Sequence, residues 1–385
     1  MLGPDKIVYL DNNATTQLDP AVVEEMLPFL TTYYGNPSSS YRFATQVRDA
    51  IEVARARVAA LLGCEPAEII FTSGGTESNN AALNSALQLD TNRQQIVTTQ
   101  VEHSATYRHC EYLAGRGAGV SVVAVDCEGR LDLDGLEKAI TGETAIIAAM
   151  WANNETGVLF PVEQIGEIAR RNRVLFHTDA IQAAGKLPFR VSDSGATSCS
   201  ISAHKLHGPK GVGALYVSRR STFRPSTFGG SQEENRRAGT ENVAAIVGFG
   251  KAAELALQTI AEEGMRVRAM RDRFEQTLIE GVPDTFVNGD RTARLPNTAS
   301  LSFVGADSSA LLMLLDRQMI CCSAGSACLS GSLEASHVLK AMKLSEARLR
   351  SSVRFSFGRF NTEGDVDRAL QIVPAAIAKI RAMSA

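Results

Sequence analysis

Ser202-Ala203-His204-Lys205 puts a lysine at the end of an apolar run, just before the turn Gly208-Pro209-Lys210-Gly211. The run Val174–Asp179 ends in an aspartate in the same way. If both runs are strands of a parallel sheet, their carboxyl ends line one crevice, which is where such sheets bind ligands. A buried lysine and a carboxylate facing one ligand suit pyridoxal 5'-phosphate. The lysine forms a Schiff base, and the aspartate keeps the pyridine nitrogen protonated so that the ring accepts carbanion electrons. A plain Asp–Lys ion pair fits the same two residues.

Other residues fall at matching places. Thr72-Ser73-Gly74-Gly75-Thr76 joins a strand-like run to a helix-like one. Gly75 would let the backbone approach a phosphate, and the helix N-terminus at Thr76 favours negative charge, although an ordinary strand–helix turn reads the same way. His103 follows another strand and is either a satisfied strand-end residue or a ring stacked on the cofactor and able to shuttle protons. Asn154 and Gln182 could hydrogen-bond the cofactor's phenolic oxygen or could shape turns. Arg354 alternates with apolar Val353 and Phe355, so it points to the opposite face of a strand, either to the surface or to clamp a substrate carboxylate. Cys328 sits among the small residues of Ser323–Ser332, a loop-like setting for a nucleophilic thiol or for an inert exposed one.

These residues need a scaffold. Ile69–Thr72, Ile96–Thr99, Val120–Val125, Ala145–Trp151, Val174–Thr178, Cys199–Ser202 and Val212–Val217 are short apolar runs, several of them separated by helix-like segments such as Val162–Arg173. This alternation predicts an α/β fold with a mainly parallel sheet covered on both faces. Asp19-Pro20 marks a helix start, and Gly63 marks a helix stop. Glu241 to Ile279 reads as one long helix. Beyond it, strands at Thr298–Val304 and Val353–Phe357 and helices from Asp307 and Glu363 predict a smaller α+β domain. We expect a large cofactor-binding domain over 15–260. Residues 1–14 and 261–385 form the smaller domain, which carries the Cys328 loop.

Composition narrows the function. The 385 residues carry a net charge of −3, which leaves no basic footprint for nucleic acid. No apolar run comes near the roughly 18 residues that cross a bilayer, so no membrane is expected. The first residues lack the pattern of a secretory signal, which points to the cytoplasm. Seven cysteines without a Cys-x-x-Cys pair read as free thiols, most of them buried, and predict no zinc or other metal site.

Taken together, the chain closely resembles the pyridoxal-phosphate-dependent cysteine desulfurases of the iron–sulfur-cluster and nitrogen-fixation type. The matching stretches run in family order over nearly the whole chain. They are Tyr9–Thr16, Phe71–Asn80, Val101–Ser104, Asn153–Gly157, His177–Gln182, Ser202–Lys205, Arg237–Asn242 and Gly325–Cys328. The resemblance implies the aminotransferase-like fold (fold type I), with a seven-stranded sheet in the large domain, and a homodimer with shared active sites. It assigns Lys205 to the Schiff base, Asp179 to the pyridine nitrogen and His103 to ring stacking. Thr76, Ser202 and His204 would hold the phosphate together with Thr240 of the partner subunit. Asn154 and Gln182 would contact the cofactor oxygen. Arg354, helped by Asn12, would bind the carboxylate of L-cysteine, and Asn154 would also lie close to the substrate.

The implied reaction starts when cysteine displaces Lys205, which then removes the α-proton. Cys328 attacks the substrate sulfur, keeps it as a persulfide and passes it to an acceptor or an iron–sulfur scaffold protein, while alanine leaves. Selenocysteine lyase, an aminotransferase and an idle scaffold of the same fold are the rival readings. The chain departs from the family pattern at Tyr41 and Ala44, where histidine and glycine are expected, at Thr178 for valine, and at Leu329 for a small hydroxyl residue.

Overall fold

The computed structural model describes residues 7–324 and 336–384. The chain opens with β1 (Val8–Tyr9), α1 (Pro20–Thr31) and α2 (Arg42–Leu62). The Asp19 carboxylate accepts from the Ala21 N–H and Pro20 takes the first helical position, so α1 starts where the sequence marks it. α2 ends at Gly63, whose φ of 66° is a left-handed stop.

Next come β2 (Ile69–Thr72), α3 (Gly75–Leu89), β3 (Gln95–Thr99), α4 (Ser104–Ala114), β4 (Gly119–Val123), α5 (Leu133–Ala139) and β5 (Thr144–Ala148). They are followed by α6 (Val162–Asn172), β6 (Leu175–Asp179), β7 (Ser198–Ser202) and β8 (Gly213–Val217). Together the strands build a seven-stranded sheet in the order β2-β8-β7-β6-β5-β3-β4. Only β8 runs against its neighbours. β5 and β7 are buried along their whole length, because helices cover both faces. Burial on both faces removes the polar alternation of a half-exposed strand, which is why these strands read as plain apolar runs.

The remaining elements are α7 (Gln232–Asn235), α8 (Val243–Gly281), β9 (Thr285–Val287), β10 (Thr298–Phe303), α9 (Ser308–Arg317), β11 (Ile320–Cys321), α10 (His337–Ala341), α11 (Glu346–Arg350), β12 (Ser352–Ser356) and α12 (Glu363–Ser384). β12, β10 and β9 form an antiparallel sheet. β1 pairs with β11, so the first residues are tied to the C-terminal part of the chain. Among the described residues the largest apolar core lies around the large sheet and a second lies beneath the small one, with two smaller clusters beside α3.

α8 runs unbroken past residue 260 and serves both cores: Phe249 and Ala252 pack in the first, Met270 and Phe274 in the second. It is long and apolar enough to pass for a membrane span by length and composition, but 56% of its apolar window is buried inside the fold and Lys251 and Glu254 interrupt the run. In the fold, α1 and α2 pack against it.

The α2–α8 contact is close. A Cβ on Gly250 would lie 2.5 Å from Ala54 Cα and 2.6 Å from Ala54 Cβ. Gly250→Ala therefore forces the helices apart and is expected to cost about 1–3 kcal/mol. Alanine's better helix propensity offsets this by at most about 1 kcal/mol. A thermal melt should show a lower Tm, and an unchanged Tm would mean that the contact yields freely.

Candidate active site

The carboxyl ends of β3, β6 and β7 carry His103, Asp179 and Lys205 to one side of the sheet. Asp179 is buried at the end of β6. Its Oδ2 accepts from Asn79 Nδ2 at 2.7 Å and its Oδ1 from the Ile181 N–H at 3.0 Å. Behind it, His177 Nε2 donates to Asn79 Oδ1 at 2.9 Å, and Ser198 Oγ lies 2.9 Å from His177 Nδ1. Burial pushes the His177 pKa down to about 3. The ring is therefore neutral, with one donor and one acceptor nitrogen. This relay turns the Asn79 amine toward the carboxylate and holds Asp179 in place. Asn79 lies in a quoted motif, but its role was missed; a buried asparagine on α3 facing a strand-end acid is the signal that could have found it.

His103 caps α4, its Nδ1 accepting from the Ala105 N–H at 3.1 Å, which leaves the ring proton of the neutral form on Nε2. Burial pulls its pKa down, Asp179 works against that, and Lys205 and His337 add to the depression. Lys205 and His103, the two expected catalytic side chains among the described residues, thus share one electrostatic neighbourhood with Asp179, the expected partner of the ring nitrogen. Glu102, the preceding residue, anchors the turn by accepting from Thr99 Oγ1 and the Met150 N–H. Burial pushes its pKa up to about 8.

Lys205 Nζ donates to Asn13 O at 2.6 Å and to Ala14 O at 2.7 Å. Two neutral carbonyls, rather than an ion pair with Asp179, thus receive the ammonium. Asn13 is a hub missed in the sequence. Its Nδ2 donates to Asn154 O and Thr298 Oγ1, and its Oδ1 accepts from Asn297 Nδ2 and Lys186 Nζ.

The β2–α3 turn forms a cleft of about 380 Å³, lined by Gly75, Thr76, Ser202, His204 and Lys210 among others. A Cβ on Gly75 would fall 2.0 Å from Ile181 Cδ1, so any larger residue there must push the end of that side chain aside. His204 Nδ1 lies 3.1 Å from Thr15 Oγ1. Burial, then Lys205 and Lys210, bring its pKa down to about 4. Glu77, the acid on this rim, is neutralised by Arg237 at 2.8 Å. A helix N-terminus beneath a cluster of basic groups is the setting a phosphate dianion requires. Thr240 is exposed and does not line this cleft.

Arg354 is buried on β12, not a surface residue. Nη1 donates to Asn154 O at 2.9 Å and Nη2 to Asp11 Oδ1 at 2.7 Å, while Nε is buried without a hydrogen-bond partner. Asn12 is placed differently from the expectation. Its Nδ2 is spent on Ser356 O, Asn361 Oδ1 and Tyr9 O, which ties β1 to β12 and leaves no donor for a substrate. Gln182 is partly spent, with Oε1 accepting from Lys186 and Nε2 donating to Asn13 O. The Asn154 side chain makes no hydrogen bond among the described residues, so its amide is available. Cys328 lies outside the described residues. Among the described cysteines only Cys110 and Cys199 are buried, while Cys64, Cys321 and Cys322 are half-buried and Cys127 is exposed, against the expectation of mostly buried thiols.

Comparison with known proteins agrees with this geometry. The Aminotransferase class-V family model matches residues 8–369. A cysteine desulfurase of Nostoc sp. is 50% identical over 378 residues, 98% of this chain and 94% of that protein. The cysteine desulfurase NifS of Azotobacter vinelandii is 48% identical, again over 98% of this chain and 94% of that protein. A solved NifS-like protein superposes with a TM-score of 0.89 at 36% identity, covering 98% of this chain and 99% of that one. SspA, solved in complex with cysteine, superposes with a TM-score of 0.80 at 32% identity, over 92% of this chain and 99% of that one. With a family match over nearly its whole length and full-length relatives at half identity, the chain belongs to the class-V aminotransferases, a family of pyridoxal-phosphate enzymes, on their cysteine desulfurase branch.

Proposed function

We propose that the chain is a cysteine desulfurase, a sulfurtransferase that converts L-cysteine to L-alanine with pyridoxal 5'-phosphate bound. It keeps the sulfur as a persulfide on Cys328 and hands it to acceptors for iron–sulfur cluster assembly or other sulfur transfer. The observation that carries this reading is the common neighbourhood of His103, Asp179 and Lys205 beside a basic cleft at the start of α3.

The residues present fit the cofactor. The α3 N-terminus with Thr76, Ser202 and His204 would hold its phosphate, Asp179 its ring nitrogen, His103 its ring face, and Asn154 and Gln182 its ring oxygen. When bound, the cofactor supplies an electron sink for the negative charge left on the substrate's α-carbon. Lys205 Nζ takes the proton from that carbon, and the carbonyls of Asn13 and Ala14 receive the resulting ammonium. Arg354 binds the substrate carboxylate. Its Nε is an idle buried donor, and each Nη keeps a second N–H beyond those given to Asn154 and Asp11. The Cys328 thiolate attacks the substrate sulfur, and the carbon–sulfur bond breaks with its electron pair left on the substrate. Protonation at that carbon, and return of a proton to the α-carbon, gives alanine.

A homodimer completes the reading. α1 and the segment after it expose Leu27, Leu30 and Tyr34, the last 79% accessible, which a second copy would cover. The exposed Thr240 is then free to serve the phosphate cleft of the other subunit. The two larger apolar cores follow a division into residues 15–260 and residues 1–14 with 261–385 in the main, with α8 spanning both and Leu295, Val338, Leu339, Met342 and Leu344 packing into the first. A reducing, cytoplasmic setting suits a reaction that runs through a free thiol.

Cys328→Ala tests the assignment of the sulfur carrier. The variant should keep the visible absorbance of bound cofactor and lose sulfide release from cysteine. Undiminished release would remove Cys328 from the reaction.

A further inference from the structure

A second lysine, Lys186, lies behind Lys205. Its Nζ makes hydrogen bonds to two neutral amide oxygens, Gln182 Oε1 at 2.6 Å and Asn13 Oδ1 at 3.2 Å. Both acceptors belong to the network that holds Lys205, since Asn13 O receives Lys205 Nζ at 2.6 Å and Gln182 Nε2 at 2.9 Å. The Asn13 amide cannot turn over without loss. Asn297 Nδ2 donates to its Oδ1 at 3.0 Å while its Nδ2 donates to Asn154 O at 3.1 Å. Lys186 therefore stands on a fixed acceptor and reaches from it to Gln182.

We propose that Lys186 is a positioning residue that fixes the donor face of Gln182 toward the cofactor's ring oxygen. The proposal rests on the cofactor reading above. A lysine bonded to the carboxamide at 2.6 Å selects its oxygen, so the amine of Gln182 must face away from Lys186. One of its two N–H groups goes to Asn13 O, and the other remains for the ring oxygen. Without Lys186, Gln182 Oε1 becomes a buried acceptor with no donor, and the bond from Nε2 to Asn13 O alone no longer holds the plane of the amide. The second N–H would then swing out of line with the ring oxygen. Burial, reinforced by the positive charges of Lys205 and Arg354 and opposed by Glu263, holds the Lys186 amine well below the usual lysine range.

The test is a pH titration of the visible absorbance of the cofactor-loaded enzyme. An N–H donated to the ring oxygen stabilises its deprotonated form, so losing it raises the titration midpoint. Lys186→Met is expected to move the midpoint upward by about 0.5–1 unit, the worth of one hydrogen bond. The kcat should fall several-fold, with the KM for cysteine nearly unchanged. Gln182→Leu should give a similar shift, and the double variant should show no more than Gln182→Leu alone, because both act through one amide. If Lys186→Met does not fold, Lys186→Gln, which keeps a polar side chain in the cavity, is read in the same way. A wild-type midpoint in the Lys186 variant, or shifts that add in the double variant, would overturn the proposal. A wild-type enzyme that shows no visible absorbance at any pH after loading with the cofactor would instead strike down the cofactor reading, and this proposal with it.

Discussion

Lys205→Ala is expected to slow alanine formation from cysteine by about 10³–10⁴-fold, the range for loss of a positioned proton-transfer group. The loss is large because, among the described residues, no other amine is aimed at that place. Lys205 Nζ is aimed by the carbonyls of Asn13 and Ala14. The nearby amine of Lys186 is held by Gln182 and Asn13 Oδ1 on the far side of the same hub. β7, which leads into the turn that carries Lys205, is buried and paired on both edges, so truncation of the side chain should leave the fold intact. Borohydride reduction followed by denaturation separates this residue's role from a general loss of activity. The wild type should retain the cofactor covalently and the variant should not. Covalent retention in Lys205→Ala would move the attachment point to another lysine.

Asp179→Asn is expected to be nearly as damaging, lowering kcat by about 10²–10³-fold, the scale of removing one preorganised electrostatic partner. An asparagine cannot keep the ring nitrogen protonated. The local network also turns against it, because Asn79 Nδ2 already donates at 2.7 Å and accepts nothing from a facing amine. The Asn79 orientation is held in turn by His177. If the new amide faces Asn79, a buried donor is left unpaired at a cost of about 1–3 kcal/mol, so the variant should also melt earlier. Asn79→Ala should reproduce part of the rate loss, since it removes the positioner and leaves the charge. Measuring kcat and Tm for both variants checks the two effects separately. A fully active Asp179→Asn would take the carboxylate out of the reaction.

Much of this was legible in the chain because parallel strands buried on both faces announce themselves as apolar runs, and their carboxyl ends are where a ligand crevice lies. Asp179, Lys205 and His103 could be placed together on that ground alone. Arg354 was harder. Alternation put it opposite Val353 and Phe355, but only the packing of β12 against the Asp11–Asn154 region makes that face interior. The Asn13 hub was invisible. It joins residues 13, 182, 186, 205 and 297 through hydrogen bonds that follow no periodicity. Asn12 misled for a related reason: a polar residue beside the site was turned toward the chain by backbone acceptors on β12 and after β1. The long helix α8 was found, but its passage unbroken between two cores was not, since a helix interior carries no mark of the neighbour it serves.

The central claim is that this crevice moves the sulfur of cysteine onto the enzyme and frees the remaining carbon skeleton as alanine. The most direct measurement incubates the cofactor-loaded wild-type protein with L-cysteine and an excess of reductant, and quantifies alanine and sulfide in the same sample. The account predicts that the two rise together in equal amounts over many turnovers. Sulfide without matching alanine, or neither product from protein that carries the cofactor, would contradict it.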